Sequence, residues 1–583
     1  MALVVVVDSV AMEDTPTSDE TALSDPETEE AKSSGMSRRK LLGAAGVGVG
    51  VAAVGGTGVA FARPGRGSRR GGGRDVRAGR PDGARPPGPG GGRPPGPTGN
   101  RRGAPDTGDI GVDRFSRIFN ERSFARPSQE LNEALVELGR PGGLMDANDP
   151  LEVGPVRLIT EPDLSPNNPD NPTHTAGVTF VGQFLDHDIT RDAGSTLGRR
   201  QGLRRSVNLR TARFDLDSVY GGGPTEMPEL YLDNDPIRFR VESGGRFEDL
   251  PRDATGGAIV GDNRNDENMM VSGIQVSFLK YHNAVLDRVL ATGLTGEAAF
   301  NETRRLVRWH YQWMIVHEWL PQFVGQSMVD DILANGRQFY TPNRARIPVE
   351  FQTSAYRFGH SMIRPSYRAN LAGDNGEPFF AMVFDPATFG QDDPDSLVGG
   401  FRSPRRYIGW GTFFDFGDGE VKRNKKIDTK LSTPLFNLPL STLPNDRGED
   451  IGPTSLASRN LLRHITWEIP SGQRIANLMG EPGLLRADLA ELSNLGANLD
   501  ASTPLFYYVL KEAELAADGE HLGPVGGRLV AEVFLGLLQL DADSYLAADP
   551  TWVPTLPIGD SGIGYQMTDM LTTAGVDPVS RNE

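Results

Sequence analysis

Two short segments carry most of the chemistry open to this chain. In Gly182-Gln183-Phe184-Leu185-Asp186-His187-Asp188, an apolar spacing predicts a helix on which Gln183 and His187 share one face, with Asp186 one position round. An imidazole with an amide one turn away can hold a neutral tautomer, position a small polar ligand and shuttle a proton. In Tyr356-Arg357-Phe358-Gly359-His360-Ser361-Met362-Ile363, His360 follows a glycine that lets something flat and bulky approach the backbone, and Arg357 precedes it by three residues. Either histidine alone also reads as a buried imidazole satisfied by local hydrogen bonds. Together they read as the two sides of a haem.

A histidine that ligates haem iron needs its other ring nitrogen fixed by an acceptor, which sets the tautomer and the electron donation to the metal. Asn460, in Leu456-Ala457-Ser458-Arg459-Asn460-Leu461-Leu462-Arg463, is a candidate acceptor. Arg463 shares its helical face and can meet a propionate, although the segment alone also reads as a plain amphipathic helix. Arg264 and Glu267, in Asn263-Arg264-Asn265-Asp266-Glu267-Asn268, stand three apart before an apolar helix. Arginine keeps its charge when partly buried and can polarise a peroxide bond beside His187; a solvated charge run has the same spacing. Thr211-Ala212-Arg213-Phe214-Asp215-Leu216-Asp217 puts a hydroxyl and two carboxylates at alternate positions. With Asp188, directed away from the His187 face, they make an all-oxygen set that suits Ca²⁺, or an Asp-rich turn closed by Gly221-Gly222-Gly223. The other histidines, His174, His282, His310, His317, His464 and His521, read as packing, capping or surface residues, His464 being a neighbour of Arg463 and so close in sequence to a propionate partner.

Helices are needed to place these groups. Apolar periodicity predicts them at roughly 173–189, 267–291, 297–325, 350–362, 455–466, 471–478 and 526–540. Few runs alternate with period two, so short hairpins are expected only near 376–384 and 407–423. The fold expectation is a mainly α, single large domain over 108–583, with long irregular loops and little β.

Composition narrows the chemistry. The chain has no cysteine, which excludes disulfides, zinc-thiolate and iron-sulfur sites and thiolate-ligated haem. Its formal charge is −17, unevenly spread. Residues 1–62 carry nine acidic and four basic side chains and residues 63–107 three and eleven, which leaves about −20 on 108–583. Such a surface repels phosphate and argues against a nucleic-acid partner. Residues 1–35 are acidic, Ser/Thr-rich and read as disordered. Ser37-Arg38-Arg39-Lys40-Leu41-Leu42, an apolar Gly/Ala/Val run and Ala60-Phe61-Ala62 make 36–62 resemble a twin-arginine export signal. Residues 63–107 are Gly, Pro and Arg for the most part and read as a disordered linker. Export by that route, to a periplasmic, cell-surface or extracellular location without stable membrane insertion, is the expectation.

The five site segments occur in the order and approximate spacing of the animal haem peroxidase family, the peroxidase-cyclooxygenase superfamily, and the chain resembles a bacterial or archaeal, peroxinectin-like member. Tyr281-His282-Asn283 and Glu318-Trp319-Leu320-Pro321 add to the resemblance. It implies haem b between His187, as distal acid-base, and His360, as axial ligand, with Gln183 beside His187 and Arg264 as distal cation. It further implies Asn460 as acceptor from His360, Arg357 or Arg463 at propionates, and Asp186 and Glu267 as ester links to haem methyl groups. Asp188, Thr211, the Arg213 carbonyl, Asp215 and Asp217 match the calcium loop. The implied activity is reduction of hydrogen peroxide and oxidation of small aromatic donors, halides or thiocyanate through a high-valent iron-oxo oxidant. Three departures matter. Asn268 replaces a haem-linked methionine, which argues against a sulfonium link and strong chloride oxidation. Asp217 stands where many relatives have serine. Arg357 occupies the position of the radical tyrosine of cyclooxygenase-like members, with Tyr356 one residue off and expected to point elsewhere, which counts against a fatty-acid dioxygenase. A haem- and calcium-containing adhesion protein is the alternative of another class. A metal-dependent hydrolase fails on histidine spacing.

Overall fold

The computed structural model describes residues 113–583, apart from 193, 204–205, 389–390, 392, 401–402, 441–442, 444–451 and 560–563. The N-terminal acidic region, the twin-arginine segment and the Gly/Pro/Arg linker lie outside the described residues.

Helices build the fold, and the described residues hold only four two-stranded sheets. The His187 helix spans Gly177–Ile189 and buries Phe180, Phe184, Leu185 and Ile189. It starts four residues later than periodicity predicts. Pro172 interrupts the pattern, and Asn171 Oδ1 accepts from the N–H groups of Thr173 and His174, a local alternative to the first helical turn. The strand Asp170–Thr175 forms instead and pairs antiparallel with Arg423–Lys425. That pairing also replaces the hairpin expected at 407–423. Of the other expected hairpin, near 376–384, only Phe380–Met382 is a strand there, and its partner, Ser366–Arg368, lies before the expected segment.

The His187 helix packs on the long helix Met269–Ala291, which begins where Asn268 Oδ1 accepts from Val271 N–H at 2.9 Å, an N-cap of the usual polar kind. Met269, Met270 and Val271 then enter the core with no exposure. Gly296–Met314 packs against it in turn. The single helix predicted over 297–325 is interrupted by a π-helical turn, Ile315–Trp319, before Leu320–Val324. Trp319 sits at the end of that turn and donates from Nε1 to the Val178 carbonyl at 3.0 Å.

The helix predicted over 350–362 divides in two. Val349–Thr353 is α-helical and Ala355–Met362 is 3-10, with Ser354 between them at φ −134°, ψ −77°. Tertiary bonding overrides periodicity there, because the Ser354 hydroxyl lies 2.9 Å from His464 Nε2. Leu456–Thr466, capped by Ser455, and Gly472–Met479, capped by Ser471, follow the predicted limits closely, as does Pro524–Leu540. Leu505–Ala517, all but fully buried on one side, has no counterpart among the predicted helices. Among the described residues, no helix is long and apolar enough to cross a membrane.

Candidate functional site

A cavity of about 830 Å³ is lined by both histidine segments, the Arg264–Glu267 segment and the Asn460 helix. Its volume lies in the upper range of cofactor sites.

His187 is 4% exposed. Its Nδ1 lies 2.9 Å from Asn265 Oδ1 and its Nε2 lies 3.9 Å from Glu267 Oε2. Burial, reinforced by the Arg264 guanidinium, pushes its pKa down to about 4, so the ring is neutral at ordinary pH. Arg264 is held on several sides. It donates to Asp262 at 2.7 and 3.0 Å, to the Thr190 carbonyl at 2.8 Å and to the His187 carbonyl at 3.1 Å. Burial opposes its charge, but Asp262 outweighs burial and its pKa is raised.

Gln183 donates to Glu267 Oε2 at 3.2 Å and accepts from Asn268 Nδ2 at 3.0 Å. Burial lifts Glu267 to about 7 against the opposing pull of Arg264. Gly399 donates to the Glu267 carbonyl at 2.9 Å, and a Cβ there would stand 1.6 Å from the Asp266 carbonyl oxygen, so only glycine permits this approach. Asp186 Oδ2 lies 3.6 Å from Arg357 Nη1 and 4.0 Å from Arg264 Nη1. Its Oδ1 is buried without a hydrogen-bond partner, an orphan that calls for explanation.

In the second histidine segment, Asn460 Nδ2 lies 2.8 Å from His360 Nδ1. The predicted pair is present but with the amide reversed: Asn460 donates where an acceptor was expected. Turning the amide over restores the acceptor, because its two ends are nearly isosteric. Burial, then Arg357 and Arg463, hold the His360 pKa well below the usual range. At Gly359 a Cβ would meet nothing nearer than Met362 Cε at 4.0 Å, so protein packing does not demand the glycine, and its face is open to the cavity. Arg463 Nη1 lies 3.6 Å from Asp192 Oδ2. Burial and the neighbouring Arg463 lower Arg459 to about 10. These arginines, with Arg357, gather positive charge on the cavity wall suited to carboxylates.

The structure adds residues that sequence spacing did not single out. Asn265 and Asp262 position His187 and Arg264; Asp262 sits two residues before Arg264 as the cap of a short 3-10 turn, a signal the sequence did contain. Arg459 and Gln352 join the cavity wall, and Gln352 Oε1 is buried without a partner. Tyr356, expected to point elsewhere, also lines the cavity, with its hydroxyl donating to the Gly182 carbonyl at 2.9 Å. His464 turns away from the cavity to Ser354 and to Phe506 N–H at 3.0 Å.

The calcium-loop residues converge in part. Asp188 is fully buried and accepts from Leu216 N–H at 3.1 Å and Tyr311 hydroxyl at 3.1 Å. Thr211 donates to Asp215 at 3.0 Å. Burial and the neighbouring carboxylates raise Asp188 well above its usual range and Asp215 to about 6, a like-charge cluster that a divalent cation would relieve. Asp217 departs from expectation. Its carboxylate reaches Arg210 Nη1 at 2.7 Å, since an aspartate there attracts a guanidinium that a serine would not. Arg213 directs its side chain to Asp541, 3.8 Å away. Among the described residues, no three His, Asp or Glu side chains stand together in metal-ligating geometry.

The model of the family described as animal haem peroxidase matches residues 195–404, which include Arg264 and His360 but neither His187 nor Asn460. The chain is 25% identical to the peroxidase mlt-7 of Caenorhabditis elegans, over 56% of this chain and 43% of that protein. It is 26% identical to the peroxidasin homolog pxn-2 of the same organism, over 29% and 14%. The chain thus spans less than half the length of these curated relatives. Peroxidase A from Dictyostelium discoideum shares the fold at a TM-score of 0.52 and 16% identity, with 79% of this chain and 95% of that chain aligned. Through the segments of Arg264 and His360, this chain is similar to the animal haem peroxidase family over the matched part of its length.

Proposed function

We propose that the chain is a haem peroxidase that reduces hydrogen peroxide and oxidises small aromatic donors, halides or thiocyanate. The observation that carries this reading is one cavity lined by a neutral His187, a charged and anchored Arg264, and His360 paired with Asn460. Haem, when bound, supplies the redox chemistry, taking oxidising equivalents from peroxide and delivering them to donors.

The residues fit that group. His360 would ligate the iron through Nε2, with Asn460 at Nδ1, and Arg357, Arg459 and Arg463 would meet propionates. The unpartnered Asp186 oxygen and Glu267, whose pKa burial raises to about 7, are suited to ester links with haem methyl groups. His187 Nε2 takes the proton of peroxide and returns it to the departing oxygen. Arg264 stabilises the negative charge that develops there. With Asn268 in place of methionine, chloride is the least favoured halide. Asp188, Thr211, Asp215 and the Arg213 carbonyl would hold Ca²⁺, with Asp217 left to Arg210. Export through the twin-arginine segment at 36–62 completes the reading.

The test is an optical spectrum of the purified chain. A Soret band that disappears in His360→Ala, with peroxide-dependent oxidation of a phenolic dye, supports the proposal, and no Soret band after expression with ample haem ends it. Tyr356 on the cavity wall keeps a fatty-acid dioxygenase as the second reading, decided by product analysis with linoleate.

A further inference from the structure

We propose that Asn265 is a positioning residue that holds His187 in the tautomer with its proton on Nδ1, leaving the Nε2 lone pair for the cavity. A neutral imidazole carries one proton on two nitrogens, and the partner of one decides the role of the other. Asn265 is fully buried. Its Nδ2 donates to Gln275 Oε1 at 2.8 Å, and its Oδ1 lies 2.9 Å from His187 Nδ1. Once the amide nitrogen is committed to Gln275, the end that faces the imidazole is an acceptor, so Nδ1 must donate. Nε2, 3.9 Å from Glu267 Oε2, is then the basic nitrogen.

The arrangement has one rival. If both amides turned over, Gln275 would donate to Asn265, Asn265 would donate to Nδ1, and the imidazole proton would move to Nε2, where it blocks proton uptake. In the structure Gln275 Nε2 is the atom left without a partner, and Gln275 is itself fully buried on the Met269–Ala291 helix. Asn265 and Gln275 therefore act as a pair that selects between a competent and an incompetent base. Neither residue touches the cavity, so their effect must pass through His187.

The inference gains its catalytic meaning from the peroxidase reading, but the tautomer can be measured without it. Nitrogen-15 NMR of the full-length chain, labelled at histidine and prepared without added haem, reports protonated and unprotonated ring nitrogens separately, with His187 assigned by loss of its signals in His187→Gln. The expected result is a protonated Nδ1 and an unprotonated Nε2 in the parent. Asn265→Asp, which can only accept, keeps this pattern, and Asn265→Leu loses it. In haem-loaded protein, Asn265→Leu should slow the reaction with peroxide by about 100-fold without changing the KM for the donor. Gln275→Leu, should Asn265→Leu fold poorly, is expected to weaken the same pattern. A parent protonated on Nε2, or an Asn265→Leu spectrum identical to the parent, overturns the inference. A chain that binds no haem overturns the peroxidase reading and leaves the tautomer result standing.

Discussion

The Arg264 guanidinium donates to the backbone carbonyl of His187 at 3.1 Å, so the two side chains proposed as distal cation and distal base are fixed to each other as well as to the cavity. The same guanidinium reaches the Thr190 carbonyl and both oxygens of Asp262, a fork that lysine cannot reproduce. Arg264→Lys is expected to keep the charge and lose the aim. Stopped-flow mixing with peroxide should show a rate constant lower by about 100-fold, and a rate within a factor of about two of the parent would remove Arg264 from the mechanism.

The pH dependence of that step should follow His187. Its folded pKa is about 4, depressed from 6.5 by burial and by Arg264, so the neutral base is available above pH 4 and lost below it. The rate constant should be flat from pH 7 to about 5 and fall toward pH 4. An acid limb centred near 6.5 would mean that the imidazole is solvated.

Asp186 and Glu267 are predicted to tether the cofactor. Haem of the parent should stay with the protein through acid-acetone extraction. The double variant Asp186→Asn, Glu267→Gln should release it while retaining a Soret band before extraction. Pigment that leaves the parent equally readily would disprove the ester links.

Calcium should stabilise the fold through Asp188. At a hundredfold excess over its Kd, a bound ion adds about 2.7 kcal/mol, seen as a higher melting temperature with calcium than with chelator. Asp188→Asn removes one ligand charge and should abolish the difference. A parent that melts identically in calcium and chelator would leave the loop as an acidic turn.

Glu318 offers a prediction unconnected with haem. Burial raises its pKa to about 8, and its Oε2 accepts from Met567 N–H at 2.8 Å. A folded pKa above the unfolded value of about 4.5 means that its favourable contribution is complete below pH 4.5 and is lost as pH rises toward 8. Glu318→Gln keeps an acceptor and cannot titrate. Its stability relative to the parent should therefore increase by about 2–4 kcal/mol between pH 4.5 and 8, read from urea unfolding at both pH values. A constant difference would place the pKa of Glu318 outside this window.

The sequence carried the mainly α architecture because its long helices bury broad apolar faces and several begin at recognisable caps such as Ser455 and Ser471. It carried the grouping of the candidate residues, since His187, Gln183, Arg264, Glu267, His360 and Asn460 all come to one cavity. What it withheld depends on long-range partners. The break at Ser354 needs His464, more than a hundred residues away. The strand at 170–175 needs Arg423–Lys425. The role of Asn265 is invisible until His187 and Gln275 are seen on either side of its amide, and the diversion of Asp217 needs the reach of Arg210.

Asn268 starts the Met269–Ala291 helix with one end of its amide and grips Gln183 with the other. Foldability and chemistry are therefore invested in a single side chain. Replacing it with methionine, to introduce the link it lacks, would uncap the helix at a loss of about 1 kcal/mol and release Gln183 in the same stroke. A chloride-oxidising version of this chain would need a new helix start as well as a new sulfur.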